Sequence, residues 1–173
     1  MVKFMQKLPE RKNLRLRGFD YSSQGSYFVT ICTKDKQNLF WTNNEINEIG
    51  KIVENHIIGL SSHYFGVKID NYAIMPNHIH VLVTIGCDAL PENDEILLNN
   101  IYNKYSFPNL KVIIGGLKSG ITKDIHKSFP RINVWQRGYH DHIINNLNDY
   151  NETWDYIENN PNVWIAKNKG ESF

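Results

Sequence analysis

Alternating apolar and polar positions divide the chain into segments with strand-like and helix-like periods. Residues 26–33 are rich in β-branched and aromatic side chains between Gly25 and the polar Lys34-Asp35-Lys36 segment, which predicts a strand. Two further apolar runs, residues 65–75 and 79–85, flank the turn-favouring pair Pro76-Asn77 and predict two strands joined as a hairpin.

The remaining segments predict helices and one last strand. Residues 45–60 and 112–129 have apolar side chains at three- and four-residue spacing, the stripe of an amphipathic helix. Residues 134–135 and 139–144 predict a last strand or bent hairpin. We expect Asn148 to cap a final helix that runs to about Asn160 and ends at Pro161. The order β-α-β-β-α-β-α predicts an α+β fold, with an antiparallel sheet and helices mainly on one face, as in ferredoxin-like folds.

Length and composition support one globular domain. The chain has 173 residues, 41% of them hydrophobic and 21% charged, which excludes disordered, collagen-like and coiled-coil proteins. We expect a basic N-terminal arm (residues 1–24), one domain (residues 25–165) and a short tail (residues 166–173).

Charge is balanced overall but segregated along the chain. Nineteen lysines and arginines face eighteen acids, so the net charge of +1 gives no global indication of a nucleic-acid partner. However, basic residues are concentrated in the first seventeen residues and again in residues 111–137, whereas residues 87–100 resemble an acidic loop. The two basic segments can line one groove, or they can be ordinary solvated surface.

The two cysteines and the N-terminus indicate the compartment. Cys32 and Cys87 form no CxxC motif, and we expect both to be reduced core thiols. No continuous apolar region of signal-peptide type and no stretch of membrane-spanning length occurs, so we expect a cytosolic protein that does not enter the membrane.

A pair of histidines lies inside one predicted strand. His78 and His80 are two residues apart and therefore share one face of the strand, while Ile79 points to the other. Neutral imidazoles suit divalent transition metals and, together with an oxygen donor, can hold a harder ion against phosphate. The alternative is a pair of surface histidines without a ligand, since the motif alone gives no complete ligand set.

The last predicted helix carries a candidate nucleophile. Tyr156 and Asn160 stand four apart on one helix face. A tyrosine hydroxyl can form a covalent intermediate, and a metal that polarises a phosphate offsets its weak nucleophilicity. Asn160 can complete the ligand set beside the negative C-terminal end of the helix, although Pro161 leaves Asn159 or Glu158 as alternatives. The simpler interpretation of Tyr156 is an aromatic anchor.

Three motifs in this order resemble the HUH single-tyrosine transposases of the IS200/IS605 type, in particular the REP-associated tyrosine transposases. The resemblance spans residues 11–162. The matching segments are Met75-Pro76-Asn77-His78-Ile79-His80, Trp135-Gln136-Arg137-Gly138-Tyr139-His140-Asp141-His142, and Asp149-Tyr150 followed by Tyr156-Ile157-Glu158-Asn159-Asn160-Pro161.

The resemblance implies a function and a set of roles. His78 and His80 become ligands of Mg²⁺ or Mn²⁺, Tyr156 the nucleophile, and Asn160 the third ligand, where the insertion-sequence branch has glutamine. The implied reaction is cleavage of single-stranded DNA near a hairpin through a 5′-phosphotyrosine, followed by strand transfer without a nucleotide cofactor. Aromatic residues at Phe19, Tyr21 or Trp135 can stack on bases, if they are not core residues. The basic residues expected to contact DNA are Arg11, Lys12, Arg15, Arg17, Lys118, Lys123 and Arg137.

Several alternatives stay open at this stage. The same fold can be a catalytically inactive module that binds hairpin DNA, or a metal-dependent hydrolase that uses water. The family includes both monomers and homodimers. The second His-x-His, His140 and His142, does not match the metal pair and is expected to be structural or close to DNA. Tyr150 lies on a different helix face from Tyr156 and is a poor substitute nucleophile.

Overall fold

A four-stranded antiparallel sheet organises the part of the chain that the computed structural model describes, residues 24–86 and 107–169. Its strands have the order β4-β5-β1-β6, and β2 and β3 form a separate small hairpin. In chain order the elements are β1 (Gly25–Cys32), β2 (Trp41–Thr42), β3 (Glu45–Ile46), α1 (Glu48–Ile58), α2 (Leu60–His63), β4 (Val67–Met75), β5 (His78–Ile85), α3 (Leu110–Ser128), β6 (His140–Ile143) and α4 (Leu147–Lys169).

Strand β5 is central and sets the register of the sheet. The predicted hairpin is confirmed, because Pro76-Asn77 connects β4 to β5 with Met75 opposite His78. On its other side β5 pairs with β1 from Gly25 opposite Ile85 to Cys32 opposite His78. Consecutive side chains of β5 therefore point to opposite faces of the sheet.

One face of the sheet is covered by α1, α2 and α3 and holds the main hydrophobic core. Helix α1 begins later than predicted, because Asn47 caps it by accepting the Gly50 N–H at 3.0 Å, while Glu45–Ile46 belongs to β3. Two glycines of α3 have a packing role: a side chain at Gly116 would overlap the Tyr64 hydroxyl, and one at Gly120 would crowd the His56 ring. The core side chains include Val29, Ile31, Val53, Ile57, Ile79, Val81, Val83, Ile113, Ile121 and Ile125.

Among the described residues, α4 covers the opposite face, and here two predictions were wrong. Asn146, not Asn148, caps the helix by accepting the Asp149 N–H at 3.0 Å. The helix also continues through Pro161 to Lys169. Proline removes one helical N–H, but buried Ile157 before it and buried Ala166 after it keep both halves packed. Asn160 therefore lies inside the helix, so the predicted effect of a helix C-terminus on a nearby cation does not apply.

The fold class is confirmed. The last strand, β6, is only four residues long and pairs with β1, and Trp135 makes an isolated bridge to Thr33. The expected basic arm, apart from residue 24, and the expected acidic loop lie outside the described residues. Within the described parts of the chain, no helix is long and apolar enough to cross a membrane.

Candidate active site

The histidine pair lies on the face of β5 that α4 covers. His80 is buried and His78 is half-buried. Their rings meet edge to face with centroids 4.6 Å apart, and the two Nε2 atoms are 3.0 Å from each other. The sequence-based expectation that both side chains share one strand face is met.

Each histidine is oriented from behind by a polar neighbour. Thr30 lies directly opposite His80 in the β1–β5 register, and its hydroxyl is 2.9 Å from His80 Nδ1. Asn77, the last residue of the turn, places its Oδ1 2.7 Å from His78 Nδ1. Both Nδ1 atoms are thus engaged, and the two Nε2 atoms lie next to each other.

Burial keeps both imidazoles neutral. The pKa of His80 is lowered to about 3, mainly by burial and also by the nearby His78. Burial also lowers the pKa of His78, with a smaller contribution from the positive charge of Lys36. Neutral imidazole is the form that ligates metal ions.

The fourth helix brings Tyr156 to this pair. The Tyr156 ring lies 5.3 Å from the His80 ring and 5.9 Å from the Phe28 ring, in edge-on arrangements with both. The next residue, Ile157, is fully buried against the sheet and anchors the helix, whereas Tyr156 itself is 52% exposed. The strand face and the helix face that carry the candidate chemistry are therefore in contact.

A cleft of about 410 Å³ joins these groups. Six of its nine lining residues were not predicted as ligands or nucleophile: Thr30, Cys32, Lys36, Asn77, His140 and Trp164. The ring of Trp164 is 6.4 Å from that of His78, two turns along α4 from Tyr156. The lining residues are Thr30, Cys32, Lys36, Asn77, His78, His80, His140, Tyr156 and Trp164.

The predicted third ligand lines a neighbouring space. Asn160 and Asn159 border a second cleft of about 510 Å³ together with Tyr156, and Asn160 is absent from the lining of the histidine cleft. Glu158 accepts a hydrogen bond from Trp154 Nε1 at 3.2 Å, and Asn159 donates to the Asp155 carbonyl at 2.8 Å. Within residues 24–86 and 107–169, no third histidine, cysteine or acid joins the histidine pair in a metal-binding group.

Two neutral, oriented imidazoles with open space beside them fit a divalent ion that keeps coordination positions free for oxygen atoms of a substrate. The described residues thus fit such an ion in part. Asn160 remains a predicted ligand.

The basic residues have different surroundings. Lys118 donates hydrogen bonds of 2.8 Å to the carbonyls of Gln136 and Gly138, and burial lowers its pKa. It therefore fixes the loop that carries exposed Arg137. Lys123 is exposed on α3. Arg11, Lys12, Arg15 and Arg17 lie outside the described residues, as do Phe19 and Tyr21.

The remaining aromatic and histidine candidates are mostly structural. The Trp135 ring packs 5.6 Å from that of Phe40, and its Nε1 donates to the Lys118 carbonyl. His142 bonds to the Asp149 carboxylate at 2.9 Å and connects β6 to the start of α4. By contrast, His140 lines the histidine cleft.

Comparisons with known proteins identify relatives that cover most of the chain. No protein-family model matches the chain. An uncharacterised protein of Haemophilus influenzae is 31% identical, and the alignment covers 94% of both chains. A second protein of that organism, provisionally named a REP-associated tyrosine transposase, is 26% identical over 82% of this chain and 73% of its own.

The fold has a match among solved structures. A REP-associated tyrosine transposase bound to a REP hairpin superposes with a TM-score of 0.55 at 21% identity, covering 85% of this chain and 72% of that one. At this identity the structural likeness shows a shared fold. The sequence alignments with the two Haemophilus influenzae proteins cover 94% and 82% of this chain. The chain belongs to the REP-associated tyrosine transposase family.

Proposed function

We propose that this chain cuts and rejoins single-stranded DNA near hairpins, as a metal-dependent endonuclease and strand transferase. One observation carries the proposal: the Tyr156 ring lies 5.3 Å from His80, in the same cleft as the histidine pair. A nucleophilic hydroxyl and a pair of metal-ligating nitrogens in one cleft are the elements of phosphoryl transfer through a protein-bound intermediate.

His78 and His80 hold the ion in this proposal, with Asn160 as the third protein ligand. Mg²⁺ or Mn²⁺ held by these residues would supply positive charge that stabilises the charge developing on the scissile phosphate. The protein's part is orientation. Thr30 and Asn77 fix the two imidazoles, and Phe28 and His80 hold the Tyr156 ring from two sides.

In the cleavage step the Tyr156 oxygen attacks phosphorus. A bond forms between that oxygen and the phosphorus, and the bond from phosphorus to the 3′ oxygen breaks. The tyrosine proton passes to water in the cleft, and the leaving 3′ oxygen takes up a proton. The products are a 5′-phosphotyrosine and a free 3′-OH. Attack by a 3′-OH on the phosphotyrosine reverses these changes, so rejoining requires no external energy source.

Hairpin DNA is the proposed partner. The solved relative is bound to a REP hairpin, and we extend that preference to this chain. The arm residues Arg11, Lys12, Arg15 and Arg17, together with Lys123 and Arg137, supply positive charge for phosphates. Lys36 adds a positive charge beside His78 in the cleft.

The test is covalent capture with two labels. Single-stranded oligonucleotides with one hairpin and randomised flanks are labelled at the 5′ or the 3′ end, incubated with Mn²⁺ and separated under denaturing conditions. Since the tyrosine retains the 5′ phosphate, the adduct must carry the 3′ label, and the 5′ label must appear on a shorter free strand. Tyr156→Phe is expected to abolish the adduct, whereas Tyr150→Phe in the same helix retains it.

Other outcomes distinguish the competing functions. Cleavage without an adduct that survives Tyr156→Phe but requires His78 and His80 identifies a hydrolase that uses water. Binding of hairpins without cleavage by the metal-loaded protein identifies a recognition module. An adduct that carries the 5′ label contradicts the proposed polarity.

A further inference from the structure

The two histidines are held by chemically different partners. Asn77 Oδ1, 2.7 Å from His78 Nδ1, is an amide oxygen and can only accept a hydrogen bond. His78 Nδ1 must therefore carry the proton of its neutral ring, and His78 Nε2 is left with a lone pair. The hydroxyl of Thr30, 2.9 Å from His80 Nδ1, can either donate or accept.

The contact between the rings then fixes the proton of His80. The two Nε2 atoms are 3.0 Å apart, a hydrogen-bond distance, and such a bond requires a proton on one of them. Because His78 Nε2 has none, His80 Nε2 is the donor and His80 Nδ1 is the acceptor. Without an ion, Thr30 therefore donates a hydrogen bond to His80, His80 donates one to His78, and His78 donates one to Asn77.

An ion in the cleft requires a different arrangement. Both Nε2 atoms must present lone pairs, so His80 has to lose its Nε2 proton and gain one at Nδ1, with water in the cleft carrying the proton. The ring stays neutral throughout. Thr30 must then accept from His80 Nδ1, and because Thr30 itself lines the cleft, its own O–H can turn to water.

We propose that Thr30 is a positioning residue whose hydroxyl reverses its hydrogen bond to let His80 change tautomer when a divalent ion binds. The inference rests on the metal site of the proposed function. The β1–β5 register places Thr30 opposite His80, and the branched side chain restricts χ1, so the hydroxyl is already aimed at the ring. A residue that could only accept would favour the ion-bound tautomer permanently, and one that could only donate would oppose it.

The first test measures ion affinity rather than activity. Thr30→Val keeps the shape and removes the hydroxyl, Thr30→Ser keeps the hydroxyl, and Thr122→Val removes a hydroxyl that donates within α3. Titration calorimetry with Mn²⁺ alone is expected to show affinity about 10- to 100-fold lower for Thr30→Val, the usual effect of removing a group that orients a ligand. Thr30→Ser and Thr122→Val are expected to bind as the unsubstituted protein does.

The second test reads the tautomers directly and does not depend on a stable variant. Ring ¹⁵N spectra of the metal-free protein are expected to show the proton of His80 on Nε2 and that of His78 on Nδ1. Saturation with Mg²⁺ is expected to move the His80 proton to Nδ1. A His80 proton already on Nδ1 without an ion, or equal Mn²⁺ affinity in Thr30→Val, overturns the inference.

Failure of the proposed function would look different. If Mn²⁺ binds and its affinity depends on Thr30, but no DNA adduct forms, the proposed strand transfer is wrong and the role of Thr30 stands. If the unsubstituted protein forms the adduct and Thr30→Val binds Mn²⁺ equally well, the role of Thr30 is wrong and the proposed function stands.

Discussion

The two faces of the central strand differ in composition and in cover. On one face, Ile79, Val81 and Val83 are fully buried in the core that α1 and α3 close. On the other, His78, His80 and Leu82 lie beneath α4, and a cleft remains beside the two histidines. Because consecutive side chains of a strand point to opposite faces, one set of β5 residues packs in the core and the other set includes the two histidines that line the cleft.

A second contrast lies along the functional face itself. At the end of the sheet away from the cleft, Thr84 donates to Asp70, Ser26 bonds to Thr84 at 2.6 Å, and Lys68 pairs with Asp70 at 3.0 Å. This network satisfies its own polar groups within the protein. At the histidine end the rings are oriented by neighbours, and their Nε2 atoms lie 3.0 Å apart beside a cleft that can admit a ligand.

The substitution His80→Leu is expected to give the largest loss of activity with little loss of stability. Loss of one of the two imidazole ligands should slow adduct formation by about 1000-fold, or ~4 kcal/mol, the scale of metal stabilisation of a phosphate. Stability should change by less than about 2 kcal/mol, because the former partners Thr30 and His78 border the cleft and can bond to water. Quenched-flow capture and urea unfolding measure the two effects. Unchanged adduct formation would contradict the role of the pair.

The opposite pattern is expected from Ile121→Ala. This side chain is fully buried on α3, behind the other face of the sheet. Its truncation should lower the free energy of unfolding by about 2–5 kcal/mol. Adduct formation, measured at a temperature at which the variant is folded, should stay at the level of the unsubstituted protein. A large loss of activity in a fully folded sample would show that the two faces are coupled.

The sequence predicted those parts of the site that depend on local periodicity. The two-residue spacing of His78 and His80 set their common face, and the apolar runs around Pro76-Asn77 set the hairpin. Thr30 was not predictable in this way, since it becomes a neighbour of His80 only through the register of two strands fifty positions apart in sequence. Lys36 joins the cleft through tertiary structure for the same reason.

The end of α4 shows why a strong local signal failed. Proline disfavours a helix interior by about 3 kcal/mol, so ending the helix at Pro161 was reasonable from sequence. The structure continues the helix because Ala166 is buried and Trp164 packs against a second, smaller cluster of buried residues on this face, formed by Ala73, Met75, Leu82 and Ile157. Those contacts form only after the sheet exists, and no window of local sequence contains them.

Replacing that proline is expected to have an intermediate effect. Pro161→Ala restores a backbone N–H to the helix, and we expect unfolding to require about 1–3 kcal/mol more free energy. If the proline also sets the direction of the last turns, Trp164 should shift relative to His78 and the adduct should form more slowly. Thermal unfolding and capture kinetics measure the two effects. Reduced stability would show that the proline is favourable where it stands.

The smallest effects are expected from two carboxylates, one behind each face. The hydrogen bond from Lys127 lowers the pKa of Asp124, and the backbone N–H of Asn145 lowers that of Asp149, both from an ordinary value of 3.8. Because the pKa of each carboxyl group is lower in the folded state than in the unfolded state, the carboxylate stabilises the fold at pH values above its unfolded-state pKa. This contribution is lost as the pH falls through the folded-state pKa. Asp124→Asn and Asp149→Asn should therefore each reduce stability at pH 7 and flatten its decline below about pH 4, the range of free carboxyl pKa values.

Because α4 carries Tyr156, only Asp149→Asn should also slow formation of the adduct. Urea unfolding at several pH values measures the stabilities, and parallel capture assays measure adduct formation. If the two variants change adduct formation equally, carboxylates behind the two faces do not differ in their effect on activity.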